Sequence, residues 1–199
     1  MKKLLLLLFI SFAFIGSANA NSIQGAFGYK LGQIEESAKL VVFRPSMISS
    51  HKYIKPKKNL PGFKTFLIDT TISDKKIFRI TAANYGKKYN GCSKSIDFPN
   101  RLYSTLNMLE TKYGKFKHTK DYYDKGKFLV ALLANITEYQ EFNFNDGNRS
   151  ISLTCSQAPN DGYSLSLSYV DNKLKRQFEK ERNEMIKAWE IEDAADYDI

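Results

Sequence analysis

This 199-residue chain has only two cysteines and two histidines, the thiolate and imidazole ligands of most zinc sites. His51 and His118 lie far apart in sequence, with no Cys or acidic ligand at finger-like spacing beside either, so no metal site and no cofactor are expected. No Gly-X-Ser-X-Gly elbow occurs, and Ser164, Ser166 and Ser168 are the polar positions of an alternating strand. A phosphate loop is lacking too, because Gly32 is followed by Gln33-Ile34-Glu35 where Lys and a hydroxyl residue would be needed. Prolines number only five and aromatics reach 14%, a globular composition and not a disordered one.

Long apolar runs are scarce as well. The longest stretch, Leu4 to Ile15 with Ser11 as its one polar residue, falls short of the roughly 20 residues that cross a bilayer as a helix. It follows Lys2 and Lys3 and precedes Ala18-Asn19-Ala20, the small-residue pattern of a signal peptidase site. Residues 1–20 therefore read as a cleaved secretory signal of bacterial type. No Cys stands at the cleavage point, which excludes a lipoprotein, so the mature chain is expected to be periplasmic or secreted and to begin at Asn21.

Export changes the meaning of the cysteines. Cys92 and Cys155 lack Cys-X-X-Cys spacing, and in an oxidising compartment they read as a structural disulfide and not a redox pair.

Removing twenty residues leaves 179, enough for one domain with a substantial core. We expect a single α+β domain over 21–189 and an acidic tail over 190–199. Its architecture should be an antiparallel sheet of about five or six strands, with one packed helix and a peripheral C-terminal helix. The hairpin signals are Thr65 to Ile72 and Lys76 to Ala82 around Ser73-Asp74-Lys75, with Phe78, Ile80 and Ala82 expected on one face. Asp146-Gly147 joins two alternating strands, and Pro159-Asn160-Asp161-Gly162 leads into a third that carries Tyr163, Leu165, Leu167 and Tyr169. Leu102, Leu106, Leu109 and Tyr113 repeat at helical spacing between an Asp97 cap and Gly114.

Elsewhere the pattern predicts an extended, edge-pairing segment over 21–33, a helical turn or two from Ile34 to Leu40, and a basic loop from His51 to Lys64. Residues 115–127 read as a second loop, 128–136 as a helix, and Asn172 to Glu190 as a charged helix with a thin apolar stripe.

Charge supplies the remaining candidates. The formal +9 becomes +7 once Lys2 and Lys3 are removed, and the five acids of 190–199 leave +12 on residues 21–189. Lys52, Lys55, Lys57 and Lys58 in one loop, and Lys115, Lys117 and Lys120 in another, could hold an anionic glycan or lipid. The stripe of Phe178, Met185 and Trp189 could dock a partner or pack on the sheet. Export argues against nucleic acid. The sequence thus points to a non-enzymatic binding or interaction protein of the periplasm. The alternatives are an envelope hydrolase with carboxylate chemistry around Asp121 and Asp124, and a binder of anionic envelope polymer. Oligomeric state is left open.

Overall fold

A computed structural model describes residues 22–44, 47–58, 60–86, 98–119, 138–158 and 162–196. In chain order the elements are β1 (Gly25–Ala26), β2 (Tyr29–Lys30), β3 (Lys39–Arg44), β4 (Met47–Tyr53), β5 (Thr65–Thr70), β6 (Ile77–Gly86), α1 (Phe98–Tyr113), β7 (Lys117–Thr119), β8 (Glu138–Asn145), β9 (Arg149–Ala158), β10 (Gly162–Asp171) and α2 (Asn172–Asp196). The fold is α+β. Eight strands form one antiparallel sheet in the order β3-β4-β5-β6-β10-β9-β8-β7, and β1 and β2 form a separate ribbon.

The sheet exceeds the five or six strands expected because three segments read as loop or helix are strands. Residues 34–40 make only one turn, closed by Ala38 N donating to Glu35 O, before β3 begins at Lys39. His51 to Tyr53, read as the start of a basic loop, belong to β4. That strand is too polar to show an apolar alternation, and its buried Ser50 is satisfied by Thr70 through a 2.7 Å hydroxyl pair. Lys117–Thr119 adds a short edge strand to β8. The helix read over 128–136 and Asp97 lie outside the described residues, as does Cys92.

Register places two rows of apolar side chains on a common face. Phe66 and Ile68 of β5 stand opposite Ala82 and Ile80 of β6, which stand opposite Leu167 and Tyr169 of β10. Leu153 and Ile151 of β9, then Phe142 and Phe144 of β8, continue the rows. Helix α1 covers this face with Leu102, Leu106, Leu109 and Tyr113, all buried. The 3.6-residue period of those four positions is what makes a single apolar stripe.

The rest of the face is covered by the chain's beginning. The edge pairing expected of residues 21–33 is made only at their end, where Gly32 N donates to Ile77 O and Ile77 N to Gln33 O, both at 2.8 Å; ahead of it the β1–β2 ribbon lies over the core. Phe27 and Gly28 both take positive φ (56° and 90°), the two-residue turn that suits a right-twisted hairpin. A phenylalanine in that conformation is uncommon. Its ring compensates by meeting Phe66 at 5.1 Å and Tyr169 at 6.0 Å, both edge-on.

The opposite face carries short hydroxyl side chains on β9 and β10, among them the opposed pairs Ser152–Ser168 and Thr154–Ser166. A bulge interrupts β6: Asp69 pairs with Arg79 and Thr70 with Ile77, so Phe78 has no partner of its own. Ile77 and Ile80 can then both enter the core although three residues apart. Phe78, expected beside Ile80, turns instead to α2, where it stacks on Phe178 at 5.0 Å.

That stack and one carboxylate fasten α2 to the sheet. Glu181 accepts hydrogen bonds from Ile72 N (2.7 Å), Ser73 N, the Ser73 hydroxyl and Gln177 Nε2. Burial alone would push its pKa up, but the bonds from Ser73, Gln177 and the Ile72 amide together hold it below the ordinary 4.5. A depressed folded pKa contributes stability that is present above the unfolded value and lost as pH falls through the folded one. Glu181→Ala is therefore expected to cost about 1.5 kcal/mol at neutral pH. Thermal unfolding should show the gap from wild type narrowing below about pH 4.5.

Candidate functional site

The described surface has an open cleft of about 640 Å³, lined by Ser22, Asp146, Asn148, Arg149, Asp171 and Lys173. It gathers three parts of the chain. Asp146 belongs to the β8–β9 turn, where Gly147 supplies the required positive φ of 95°. Its Oδ1 accepts from Asn148 N (3.2 Å) and Arg149 N (2.8 Å), closing the turn. Asp171 ends β10 and caps α2, its Oδ1 accepting from Lys173 N and Leu174 N at 3.1 Å each.

Arg149 joins the parts. Its Nε donates to Asp171 Oδ2 at 3.3 Å, and its Nη1 donates to the carbonyl of Ile23. The N-terminal segment is thereby fixed close to the turn, with Ile23 fully buried and its amide 3.5 Å from Asp146 Oδ2.

Both aspartates hold backbone in place, Asp146 by closing the turn and Asp171 by capping α2. Asp121 and Asp124, the carboxylates of the hydrolase alternative, lie outside the described residues. No group of three or more His, Cys, Asp or Glu among the described residues could hold a metal.

The predicted anion-binding lysines are distributed over two regions. Lys52 on β4 pairs with Glu35 at 3.1 Å. The Ser37 hydroxyl first and Lys52 after it outweigh burial and hold that carboxyl below its usual range. Lys57 lies over the Tyr29 ring at 5.6 Å, beside the exposed Lys55 and Lys58. Lys115 pairs with Glu110 at 3.2 Å, and Lys117 sits on β7. Six strand positions separate β4 from β7. At about 4.8 Å each that is roughly 29 Å across the sheet. Lys120 lies outside the described residues.

Of the α2 stripe, Phe178 is buried against Phe78, so it serves the fold, while Met185 and Trp189 are half-buried. The helix continues past Trp189 to Asp196, taking in most of the acidic run. Cys155 is fully buried on β9 between Leu165 and Gln140, and the described residues include no free cysteine.

A feature that sequence reading did not single out is the β3 edge. Among the described strands β3 is the last of its side of the sheet, and its Leu40 and Val42 are 37% and 45% exposed. The signal was present in Lys39-Leu40-Val41-Val42-Phe43, a β-branched apolar run with a basic start. Its assignment to an edge depends on pairing that only the tertiary structure supplies.

Among the described residues no helix is long and apolar enough to cross a membrane. In comparisons with known proteins, no family model, no curated protein and no solved structure matches this chain.

Proposed function

We propose that this chain is an exported, disulfide-stabilised interaction protein of the bacterial periplasm, without catalytic activity of its own. It takes an extended segment of another envelope protein onto the β3 edge of its sheet. The observation that carries this reading is the exposure of Leu40 and Val42 on an edge strand. Sheet edges left apolar are templates for strand addition, and soluble proteins ordinarily blunt them. Export rests on the leader sequence, and the Cys92–Cys155 bridge on the burial of Cys155 and the absence of a free thiol among the described residues.

Charge selects the occupant. A second copy would bring the same +7 of the mature chain to the edge and be repelled. An apolar segment with an acidic residue would meet exposed Lys39 at the start of β3 and be attracted. The anionic-polymer reading is less well supported, because the lysines lie in two distant groups and Lys52 and Lys115 already have carboxylate partners.

A photoreactive residue at position 42, activated in cells, tests the proposal. It should yield one protein adduct whose attached peptide is extended and acidic. The same probe at Tyr85, 65% exposed on β6, should not give it, and Leu40→Glu should abolish it. No adduct, a chain-to-chain adduct, or equal adducts at both positions would overturn the edge reading.

A further inference from the structure

Helix α2 carries its charges in an order that works against an isolated helix. Residues 172–183 hold five basic and two acidic side chains, a net +3, and residues 184–196 hold one basic and five acidic, a net −4. The first turn has no acid and the last turn no base, whereas the helix dipole favours anions at the N-terminus and cations at the C-terminus. The ion pairs within the helix, Lys175–Glu179 and Lys180–Glu184, place lysine ahead of glutamate, the weaker order at this spacing. A second helix running antiparallel meets each half with the opposite sign and offsets these penalties.

The apolar stripe of α2 outruns its anchorage. Among the described residues, Glu181 is the last of α2 that a hydrogen bond, ion pair or ring contact joins to another element. Met185 and Trp189 continue the line of Phe178 at helical spacing, and both are half-buried. Between them and Phe178 lies Arg182. Its Nε is the one buried side-chain nitrogen or oxygen among the described residues without a hydrogen-bond partner, a costly state for a charged group.

We infer that α2 pairs antiparallel with α2 of a second copy across Met185 and Trp189. Facing residues in an antiparallel pair have numbers of constant sum. Setting Trp189 of each copy opposite Met185 of the other, a sulfur–aromatic contact, therefore sets Arg182 opposite Glu192. The register that covers the stripe thus brings a carboxylate position to the guanidinium that lacks an acceptor, and two-fold symmetry makes the contact twice. Overlap from 182 to 192 runs for about 16 Å, which leaves the seated part of α2 on its own sheet. The net positive charge of the chain opposes any pairing. At physiological salt, however, charges act over about 8 Å, so those within the contact decide. The pairing is separate from the β3 edge, since it rests on charges that change sign along α2.

Sedimentation equilibrium of the intact protein purified from its host, with Tm read for every variant, tests the pairing. A reversible dimer is expected, and Trp189→Ala should weaken it about tenfold, the effect of losing a central aromatic. Arg182→Glu and Glu192→Arg should each leave the chain monomeric where wild type is dimeric, because like charges then face one another. Mixed in equal amounts, the two variants should regain a dimer containing one of each, a rescue that a purely structural role cannot give. Should a reversal lower Tm, Arg182→Gln and Glu192→Gln take its place and should weaken the dimer several-fold. A monomer at every concentration, a dimer indifferent to Trp189→Ala or to the charge changes, or folded reversal variants that stay apart on mixing would each overturn the inference.

Discussion

Replacing Cys92 with serine is expected to lower stability by about 4 kcal/mol, the loss of the proposed Cys92–Cys155 disulfide, which would close a loop of some sixty residues in the chain-entropy model. For a domain of this size that corresponds to a fall in Tm of roughly 10 °C. Cys92 is the better position to change, because Cys155 sits without exposed surface in the central rows of the sheet. A hydroxyl there would add the cost of a buried polar group and confound the measurement. Reduction of the wild-type protein should reproduce the loss without any substitution. Thiol titration of the exported, denatured protein should find no free thiol; two free thiols would refute the bridge. A reduced protein as stable as the oxidised one would show that a bridge, if formed, does not stabilise this fold.

What could be read from the sequence divides along a physical line. The β8–β9–β10 meander, the β5–β6 hairpin and α1 were legible because each has a period and a punctuation mark. Leu153 and Leu167 alternate with hydroxyl residues, Gly147 forces the turn, and Gly114, at φ 100°, ends the helix. The β3–β4 hairpin was not legible. Its second strand satisfies buried Ser50 with Thr70, a partner twenty residues away that no local pattern announces. Phe78 shows the same limit on a smaller scale, since alternation assigns it to the core and one unpaired residue at the bulge reverses it.

The cleft was less legible still. Ile23 meets Asp146 and Arg149 through bonds that span more than a hundred residues, Arg149 meets Asp171 across 22, and the turn signal at Asp146 is purely local. Sequence marked Asp146 as a turn residue and did not single out Asp171. Only the fold shows that Arg149 is shared between Asp171 and the N-terminal segment.

Tyr113→Ala is expected to cost about 4 kcal/mol, among the largest effects of any single core substitution here. The side chain is 2% exposed in the last turn of α1, where its ring lies 6.1 Å from Phe144 and 6.5 Å from Tyr169. Burial in this aromatic cluster also pushes the Tyr169 phenol above its ordinary pKa, and Tyr113 adds to the shift. The site cannot collapse easily to fill the space. Gly114 N bonds Glu110 O, and Glu110 Oε1 accepts from Phe116 N at 3.0 Å, so the backbone on the far side of the ring is held. Phe116 is itself stacked on Phe144 at 5.5 Å. A cavity that its walls cannot close retains the full penalty. Tyr103, on the same helix but 42% exposed, is the control, and its alanine variant should cost under about 1 kcal/mol. Urea unfolding of both variants, with unchanged slope, is the measurement. Equal losses would mean that α1 does not cover the sheet through Tyr113.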